Sequence, residues 1–366
     1  MAPDPHIAAM YRAIELAATV LGSTNPNPAV GAVVLDASGA IVGEGATQPA
    51  GGPHAEVMAL RDAGADSRDG TLVVTLEPCR HTGRTGPCTE AIVDAGIARV
   101  VYAMADPYSP AAGGAEVLRA GGVDVVAGLL ADEAAADLEP WLAAVRRRRP
   151  HVTWKYAASL DGRTAALDGT SRWVTGPDSR RDVHRLRALA DAVVVGIGTV
   201  LADDSQLTVR DWPTTRQPLR VVVDGQARTP SSARILDDAA STLVAVGDDA
   251  EPERVKRLRD AGAEVVELPR RDGRIDLGAL LATLFDREAL ALLLEGGATL
   301  AGSFVHDRLV DRVVGYHAPA LLGAGPPVLG PAGVATIGTA VRLRLRDVAR
   351  FGDDVRIVAA LDREGQ

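Results

Sequence analysis

The sequence predicts two consecutive α/β domains that meet near residue 147. Three observations lead there. The chain has 366 residues, and at roughly 100–200 residues per domain two domains is the natural count. Both halves alternate short apolar runs with stretches of helical period, the pattern of sheets covered by helices. Between the halves, Arg146–Arg149 and then Pro150 end a helix, because basic residues suit a helix C-terminus and proline cannot continue it. The expected domains are residues 1–147 and 148–366.

In the first half, Ile7, Met10, Tyr11, Ile14, Ala18 and Leu21 recur at helical spacing. Ala29–Leu35 reads as a strand, Asp36–Gly39 as its turn and Ile41–Gly45 as the returning strand. A helix is expected to begin near His54, followed by a strand at Thr71–Leu76. A second helix should follow Pro87, since proline suits a first helical turn. Val100–Met104 and Val123–Val126 are further strands, and Asp132–Val145 is the closing helix.

The second half restarts with a strand at Val152–Ala157. Strands recur at Ala192–Val195, Leu219–Asp224, Thr242–Val246 and Glu264–Leu268. Three more are expected at Ala289–Leu294, Asp311–His317 and Val355–Leu361. Helical segments fall between several of them. The chain shows neither an internal repeat nor a low-complexity tract.

Composition narrows the function classes. Hydrophobic residues make up 47% and charged residues 24%, so each half can bury a core. Aromatics are only 3%, which leaves Val, Leu, Ile and Ala to fill it. A net charge of −9 argues against a chain that tracks nucleic acid by charge alone. No run reaches the ~18 apolar residues of a membrane span, and the first helical stretch carries Arg12 and Glu15 rather than a signal pattern. A soluble, cytoplasmic protein is expected. In a reducing compartment its two cysteines, Cys79 and Cys88, suit a metal better than a disulfide.

The residues that carry chemistry in the first half are His54-Ala55-Glu56, Pro78-Cys79 and Cys88. Hydrolytic deamination needs water made nucleophilic at neutral pH. Zinc with three protein ligands and one open position does this by lowering the pKa of bound water to about 7. A glutamate two residues after the histidine can then shuttle protons without binding the metal. Zinc deaminases show H-x-E followed by P-C-x-x-C. Here the first part fits, but Arg80–Pro87 separates the cysteines instead of two residues. The glycines and proline of that insert suit a loop that returns Cys88 to the metal at a helix start. Its basic residues suit an anionic substrate. His81 as a fourth ligand would close the site, as in a structural zinc centre; a place on the substrate side is preferred.

In the second half, Gly196-Ile197-Gly198-Thr199 follows an apolar strand, but Leu201 stands where the dinucleotide fingerprint needs a glycine. A better phosphate site is Glu295-Gly296-Gly297-Ala298-Thr299-Leu300, where glycines precede a helix start whose N–H groups attract anions.

Several of these segments together resemble the bifunctional deaminase-reductases of riboflavin biosynthesis. In the first half the resemblance lies in Asn25-Pro26-Asn27-Pro28, Gly51–Glu56 and Thr71–Cys88. In the second it lies in Lys155–Arg163, Ser171-Arg172-Trp173, Arg180-Arg181-Asp182, Thr199–Asp204, Leu207–Arg210 and Leu294–Leu300. The resemblance implies a cytidine-deaminase-like three-layer domain, zinc-dependent and acting on a pyrimidine, followed by a dihydrofolate-reductase-like domain that uses NADPH. It implies deamination of a diaminohydroxypyrimidine bearing a phosphoribosylamino group, then reduction of the ribosyl chain to ribityl by hydride delivery to C1′. The expected partners are this small phosphorylated pyrimidine and further copies of the chain, rather than nucleic acid or a membrane.

Carried over by position, His54, Cys79 and Cys88 are zinc ligands and Glu56 is the proton shuttle. Asn25 and Asn27 resemble the family's residues near the pyrimidine, and His81 keeps its preferred place on the substrate side. Ala158, Trp173, Thr199 and Asp203 bind NADPH, with the turn Gly296, Gly297, Ala298, Thr299, Leu300, Ala301, Gly302 and Ser303. Ser171, Arg187, Leu207, Arg210 and Glu295 hold the second substrate. Lys155 and Asp203 are both candidates for proton transfer in the reductase, and the sequence does not choose between them. Four positions depart from the family's common residues: Gly86 for proline, Tyr108 for asparagine, Arg172 for glutamine and Gly225 for serine.

Two other readings share parts of the pattern. A tRNA or nucleoside deaminase with a non-catalytic second half has the zinc chemistry, but lacks the long loop between cysteines and the second-half motifs. A structural zinc protein would ordinarily supply four ligands and no free glutamate beside the metal.

Overall fold

The computed structural model describes residues 4–83 and 85–361, so Arg84 of the inter-cysteine loop lies outside the described residues. The chain divides into two compact units, Met1–Arg148 and Arg149–Gln366. No helix among the described residues is long and apolar enough to cross a membrane.

The first unit runs α1 (Pro5–Thr19), β1 (Gly31–Leu35), β2 (Ile41–Ala46), α2 (Ala55–Ala63), β3 (Thr71–Leu76), α3 (Cys88–Asp94), β4 (Arg99–Met104), α4 (Gly114–Ala120), β5 (Asp124–Ala127) and α5 (Ala131–Arg147). Its five-stranded sheet has the order β2-β1-β3-β4-β5. β1 pairs antiparallel with β2 and β3, whereas β3, β4 and β5 run parallel. Successive strand residues face opposite sides, and the buried clusters follow that alternation. Ala32, Val34, Leu72 and Val74 pack with residues of α2, α3 and α4. Val33, Leu35, Val73 and Val101 pack with α1 and Ala134 of α5. The unit is therefore three layers deep.

Small residues bring α2 down onto β2. A Cβ on Gly45 would lie 2.4 Å from the Ala55 carbonyl and from the Ala59 nitrogen. This approach fixes the start of α2, and with it His54 and Glu56. Gly45→Ala is expected to cost the first unit about 1–3 kcal/mol through overpacking, read from the urea midpoint. An unchanged midpoint would mean that α2 lifts away freely.

The second unit runs β6 (His151–Ser159), α6 (Pro177–Leu189), β7 (Ala192–Gly196), α7 (Ile197–Asp203), β8 (Leu219–Val223), β9 (Thr242–Gly247), α8 (Pro252–Asp260), β10 (Glu264–Leu268), β11 (Arg270–Arg271), β12 (Arg274–Ile275), α9 (Leu277–Asp286), β13 (Ala291–Leu294), α10 (Ala298–His306), β14 (Arg312–Ala318), β15 (Leu343–Phe351) and β16 (Asp354–Leu361). Its nine-stranded sheet has the order β10-β9-β8-β7-β13-β6-β14-β16-β15. The strands from β10 to β14 are parallel, and β16 and β15 close the edge antiparallel. One face packs against Leu280, Leu281 and Leu284 of α9 and Phe304 of α10. The other packs against Val200 of α7 and Val255 and Leu258 of α8.

Two elements differ from the sequence reading. β15 is an additional strand, and most of it is exposed. Its alternation of Leu343, Arg344, Leu345 and Arg346 breaks at a bulge between Leu345 and Asp347, so no continuous core face announces it. The hairpin β11–β12 is too short for a periodic signal. Its turn rests on Asp272 and Gly273, both at positive φ. Pro87 sits one step outside its helix as the N-cap, so Cys88 is the first helical residue.

Candidate zinc centre and cofactor cleft

Three elements of the first unit converge at one point. His54 is the N-cap of α2, Cys79 follows β3 and Cys88 opens α3. His54 Nδ1 lies 3.6 Å from Cys79 Sγ and 3.3 Å from Cys88 Sγ. The three ligand atoms all fall within 4.8 Å of one another. Zinc–sulfur bonds of ~2.3 Å and a zinc–nitrogen bond of ~2.0 Å at tetrahedral angles need N···S separations of about 3.5 Å. The donor set and its spacing therefore fit zinc. Among the described residues no other His, Cys, Asp or Glu joins the group, which leaves the fourth position open. A backbone N–H, from Cys88, points at Cys79 Sγ at 3.5 Å.

Electrostatics at this point suit a metal and a proton carrier. The Cys79 thiol is pushed down to about 4, first by its hydrogen bond with Cys88 and then by His54 against the effect of burial. Cys88 is pushed up by its hydrogen bond with Cys79 and by burial. Of two adjacent thiols only one ionises readily; a bound dication would hold both as thiolates. Glu56 is buried in the first turn of α2. Burial, and then the charge of Cys79, raise its carboxyl to about 7. A carboxyl poised near neutrality can both take and give a proton.

The surrounding loops are tied down by a glutamate to which the sequence reading gave no role. Glu77 is buried and accepts hydrogen bonds from the backbone of Ala115 at 3.0 Å and of Asp106 at 3.3 Å. It thereby links the end of β3 to the start of α4 and to the 106–108 segment. Its place directly before Pro78-Cys79 was the available signal. His81 stands outside the ligand group. Its buried Nδ1 has no hydrogen-bond partner among the described residues, and its ring meets Tyr108 edge-on at 6.2 Å. That orphan atom suits a ligand contact. Gly86 has open space around a would-be Cβ. Asn25 and Asn27 are half-buried in the turn after α1, where the Trp141 indole N–H donates to the Pro26 carbonyl at 3.1 Å.

In the second unit a cleft of about 1220 Å³ lies at the carboxyl ends of the parallel strands, where open α/β sheets bind ligands. Lys155, Ser171, Thr199, Asp203 and Glu295 line it, as do Gly296–Leu300 and Ser303. No side chain caps α10, whose N-cap is Gly297. Its first-turn N–H groups remain for a phosphate. This uncapped, glycine-led helix start on an open cleft fits the pyrophosphate of a dinucleotide.

A buried charged cluster stands beside it. Arg187 grips Glu295 with two bonds, of 2.6 and 3.0 Å, and also donates to the Thr208 carbonyl at 3.1 Å. Lys155 Nζ is 3.7 Å from Glu295. Burial alone would raise the Glu295 carboxyl, but Arg187 and Lys155 outweigh it and bring it down to about 2. Burial pushes the Lys155 ammonium down, against the pull of Glu295.

Not every position carried over by resemblance faces this cleft. Ala301 is buried in the core, and a Cβ on Gly302 would strike the Pro331 carbonyl at 2.6 Å, so these two turn inward. Ala158 is buried on β6, Leu207 is buried at positive φ, and Trp173 is exposed under the Arg180 guanidinium. Arg210 donates to Thr208 Oγ1 at 3.0 Å. Arg172 donates to the Asp203 carbonyl at 3.0 Å.

Comparison with known proteins agrees with this division. Residues 150–357 match the RibD C-terminal domain family, and residues 3–104 match the cytidine and deoxycytidylate deaminase zinc-binding region. The riboflavin biosynthesis protein RibD of Mycobacterium tuberculosis strain H37Rv is 45% identical, over 95% of each chain. That of Escherichia coli K12 is 40% identical, over 94% of this chain and 96% of the relative. A crystal form of Acinetobacter baumannii RibD superposes with a TM-score of 0.88 at 38% identity, over 98% of this chain and 99% of the other. The Thermotoga maritima diaminohydroxyphosphoribosylaminopyrimidine deaminase/5-amino-6-(5-phosphoribosylamino)uracil reductase does so with a TM-score of 0.87 at 34% identity, with the same coverage. With zinc-site and cleft geometry on the same chain as these matches, the protein belongs to the RibD family of bifunctional riboflavin biosynthesis enzymes.

Proposed function

We propose that the first unit deaminates 2,5-diamino-6-(5-phosphoribosylamino)pyrimidin-4-one hydrolytically, and that the second reduces the ribosyl chain of the product to give 5-amino-6-(5-phosphoribitylamino)uracil. The observation that carries this reading is the three-ligand N/S/S cluster with a buried carboxylate two residues from its histidine. A tRNA or nucleoside deaminase would share that cluster but would leave the cleft and charged cluster of the second unit unused. A self-associating cytoplasmic enzyme is the setting this reading implies.

Zinc held by His54, Cys79 and Cys88 supplies the Lewis acidity that makes water nucleophilic near neutral pH. Glu56, beside the open position, would carry one proton from the attacking water to the ring nitrogen and a second, from the hydroxyl that this water leaves on the ring carbon, to the amine that departs as ammonia. Asn25, Asn27 and His81 orient the pyrimidine. In the second unit, NADPH supplies the hydride. The α10 start holds its phosphates, with Thr199 and Asp203 of the cleft wall along its length. Ser171 borders the substrate. Arg187 is committed to Glu295, so it orients that carboxylate toward the sugar hydroxyls and Arg210 takes the substrate phosphate. Lys155 lines the cleft 3.7 Å from Glu295, its ammonium pushed down by burial, and is the proton donor of choice.

A coupled assay tests the whole reading. Zinc-replete protein given the diaminopyrimidine substrate should release ammonia without NADPH, and should oxidise NADPH once it is added. Chelating the zinc should abolish ammonia release and leave NADPH oxidation on the deaminated substrate intact. Ammonia from metal-free protein would overturn the assignment of the centre.

A further inference from the structure

Between α7 and β8 the chain runs through residues 204–218 without helix or strand, and this segment carries Arg210. Its backbone polar groups have no ladder to join, and side chains take them instead. The Thr208 carbonyl accepts from Arg187 at 3.1 Å. The Val209 N–H donates to the Gln217 amide oxygen at 2.7 Å, and the Gln217 amide nitrogen donates back to the Val209 carbonyl at 3.0 Å. The Arg210 N–H donates to His184 Nδ1 at 3.3 Å.

Two of these three holders, His184 and Arg187, stand three residues apart on α6 and so share one face. That helix is a firm mount. Buried Asp182 accepts from the Tyr316 hydroxyl of β14 at 2.6 Å and from Arg356 of β16 at 2.8 Å. The Ser179 hydroxyl donates to Asp354 of β16 at 2.6 Å.

Arg210 is exposed, and its guanidinium donates to the Thr208 hydroxyl at 3.0 Å. One such bond leaves most of its N–H donors for a ligand. Where those donors stand follows the Arg210 backbone, and His184 is the side chain that ties this backbone to α6. The imidazole suits that task. Its side chain is 8% exposed, and Nε2 lies 3.5 Å from the Asp211 carboxylate. With Nδ1 accepting, the ring proton belongs on Nε2. Burial, and then the charges of Arg187 and Arg210, hold its pKa below the usual histidine range, against the pull of Asp211 and Glu295. The ring is therefore neutral at pH 7 and keeps the lone pair that Arg210 uses.

We propose that His184 is a positioning residue of the reductase site: by accepting the Arg210 N–H it holds that residue where its guanidinium meets the substrate phosphate. This rests on the reading of the second unit as a reductase whose Arg210 takes that phosphate. His184 touches neither substrate nor cofactor, so its effect belongs to the phosphate and not to the hydride step.

The test follows NADPH oxidation on the deaminated substrate, and titrates the zinc-replete full chain with the phosphorylated product and with the same product lacking its phosphate. Wild-type protein, Arg210→Ala, His184→Asn and His184→Gln are compared. Asparagine sets an amide oxygen at the place of Nδ1 and keeps the acceptor, whereas glutamine sets its amide near Nε2 and leaves the Nδ1 place empty. His184→Gln should raise KM and weaken the phosphorylated product by about tenfold, the scale of one lost hydrogen bond. Its kcat, its affinity for the unphosphorylated product and its NADP+ binding should hold, and the last of these reports a folded unit. His184→Asn should behave as the wild type does. Equal losses of the two products in His184→Gln, no loss, or loss of NADP+ binding would overturn the proposal and leave the reductase reading standing. A loss as large in His184→Asn would do the same. An Arg210→Ala chain that still prefers the phosphorylated product would put the phosphate elsewhere and overturn the proposal. A wild-type chain that oxidises no NADPH on the deaminated substrate would overturn the reductase reading together with it.

Discussion

Replacing Glu56 with glutamine is expected to lower ammonia release by about 10²–10⁴-fold, the usual contribution of a positioned general acid–base. Zinc content should not change, because His54, Cys79 and Cys88 form the ligand group and Glu56 stands outside it. Glutamine keeps the volume of the buried side chain, so the packing around α2 persists. What it loses is the ability to accept the proton from water. NADPH oxidation on the deaminated substrate should continue at the wild-type rate, since those residues belong to the other unit. Metal analysis, ammonia release and NADPH absorbance on one preparation separate the outcomes. Loss of zinc from the variant would make Glu56 a ligand, and normal ammonia release would remove it from the chemistry.

The zinc centre was legible because its residues sit at element ends that sequence marks well. His54 precedes a helix, Pro78-Cys79 ends an apolar strand, and Pro87-Cys88 opens a helix. A strand such as Thr71–Leu76 was readable to the residue because it is a short, largely apolar run bounded by polar or turn residues. Other features depend on contacts far apart in sequence. Nothing local says that Arg187 closes on Glu295, 108 residues away. Nor does Arg270-Arg271-Asp272-Gly273-Arg274 announce that its guanidinium lies over the end of β8, since a charged turn reads as a solvated loop. The inward turn of Ala301 and Gly302 follows from helical geometry, in which only one face of α10 can border the cleft. A run of eight consecutive carried-over residues ignores that period.

The Arg187–Glu295 pair carries the second large effect. Arg187→Met should destabilise the second unit by about 3–5 kcal/mol, because it leaves a buried carboxylate with Lys155 as its remaining cationic neighbour. The side chains of Arg187 and Glu295 are 12% and 8% exposed, so water cannot make good the loss. The pH dependence follows with a definite sign. Glu295 ionises at about 2 in the folded chain instead of 4.5, so its contribution is fully present above pH ~4.5 and fades as pH falls toward ~2. In Arg187→Met that acid-labile share should be much reduced. Adding Glu295→Gln to the same variant should recover part of the stability, since an unpaired charge no longer has to be buried. It should not recover reduction, because the carboxylate proposed to face the sugar is gone. Amide hydrogen exchange in β13 and β7 of the full chain reads the effect where it occurs, starting with the Glu295 N–H bound to the Val194 carbonyl at 2.9 Å. If both variants are as protected as the wild-type chain, the pair is dispensable to the fold. If the double variant reduces substrate normally, Glu295 has no place in the substrate site.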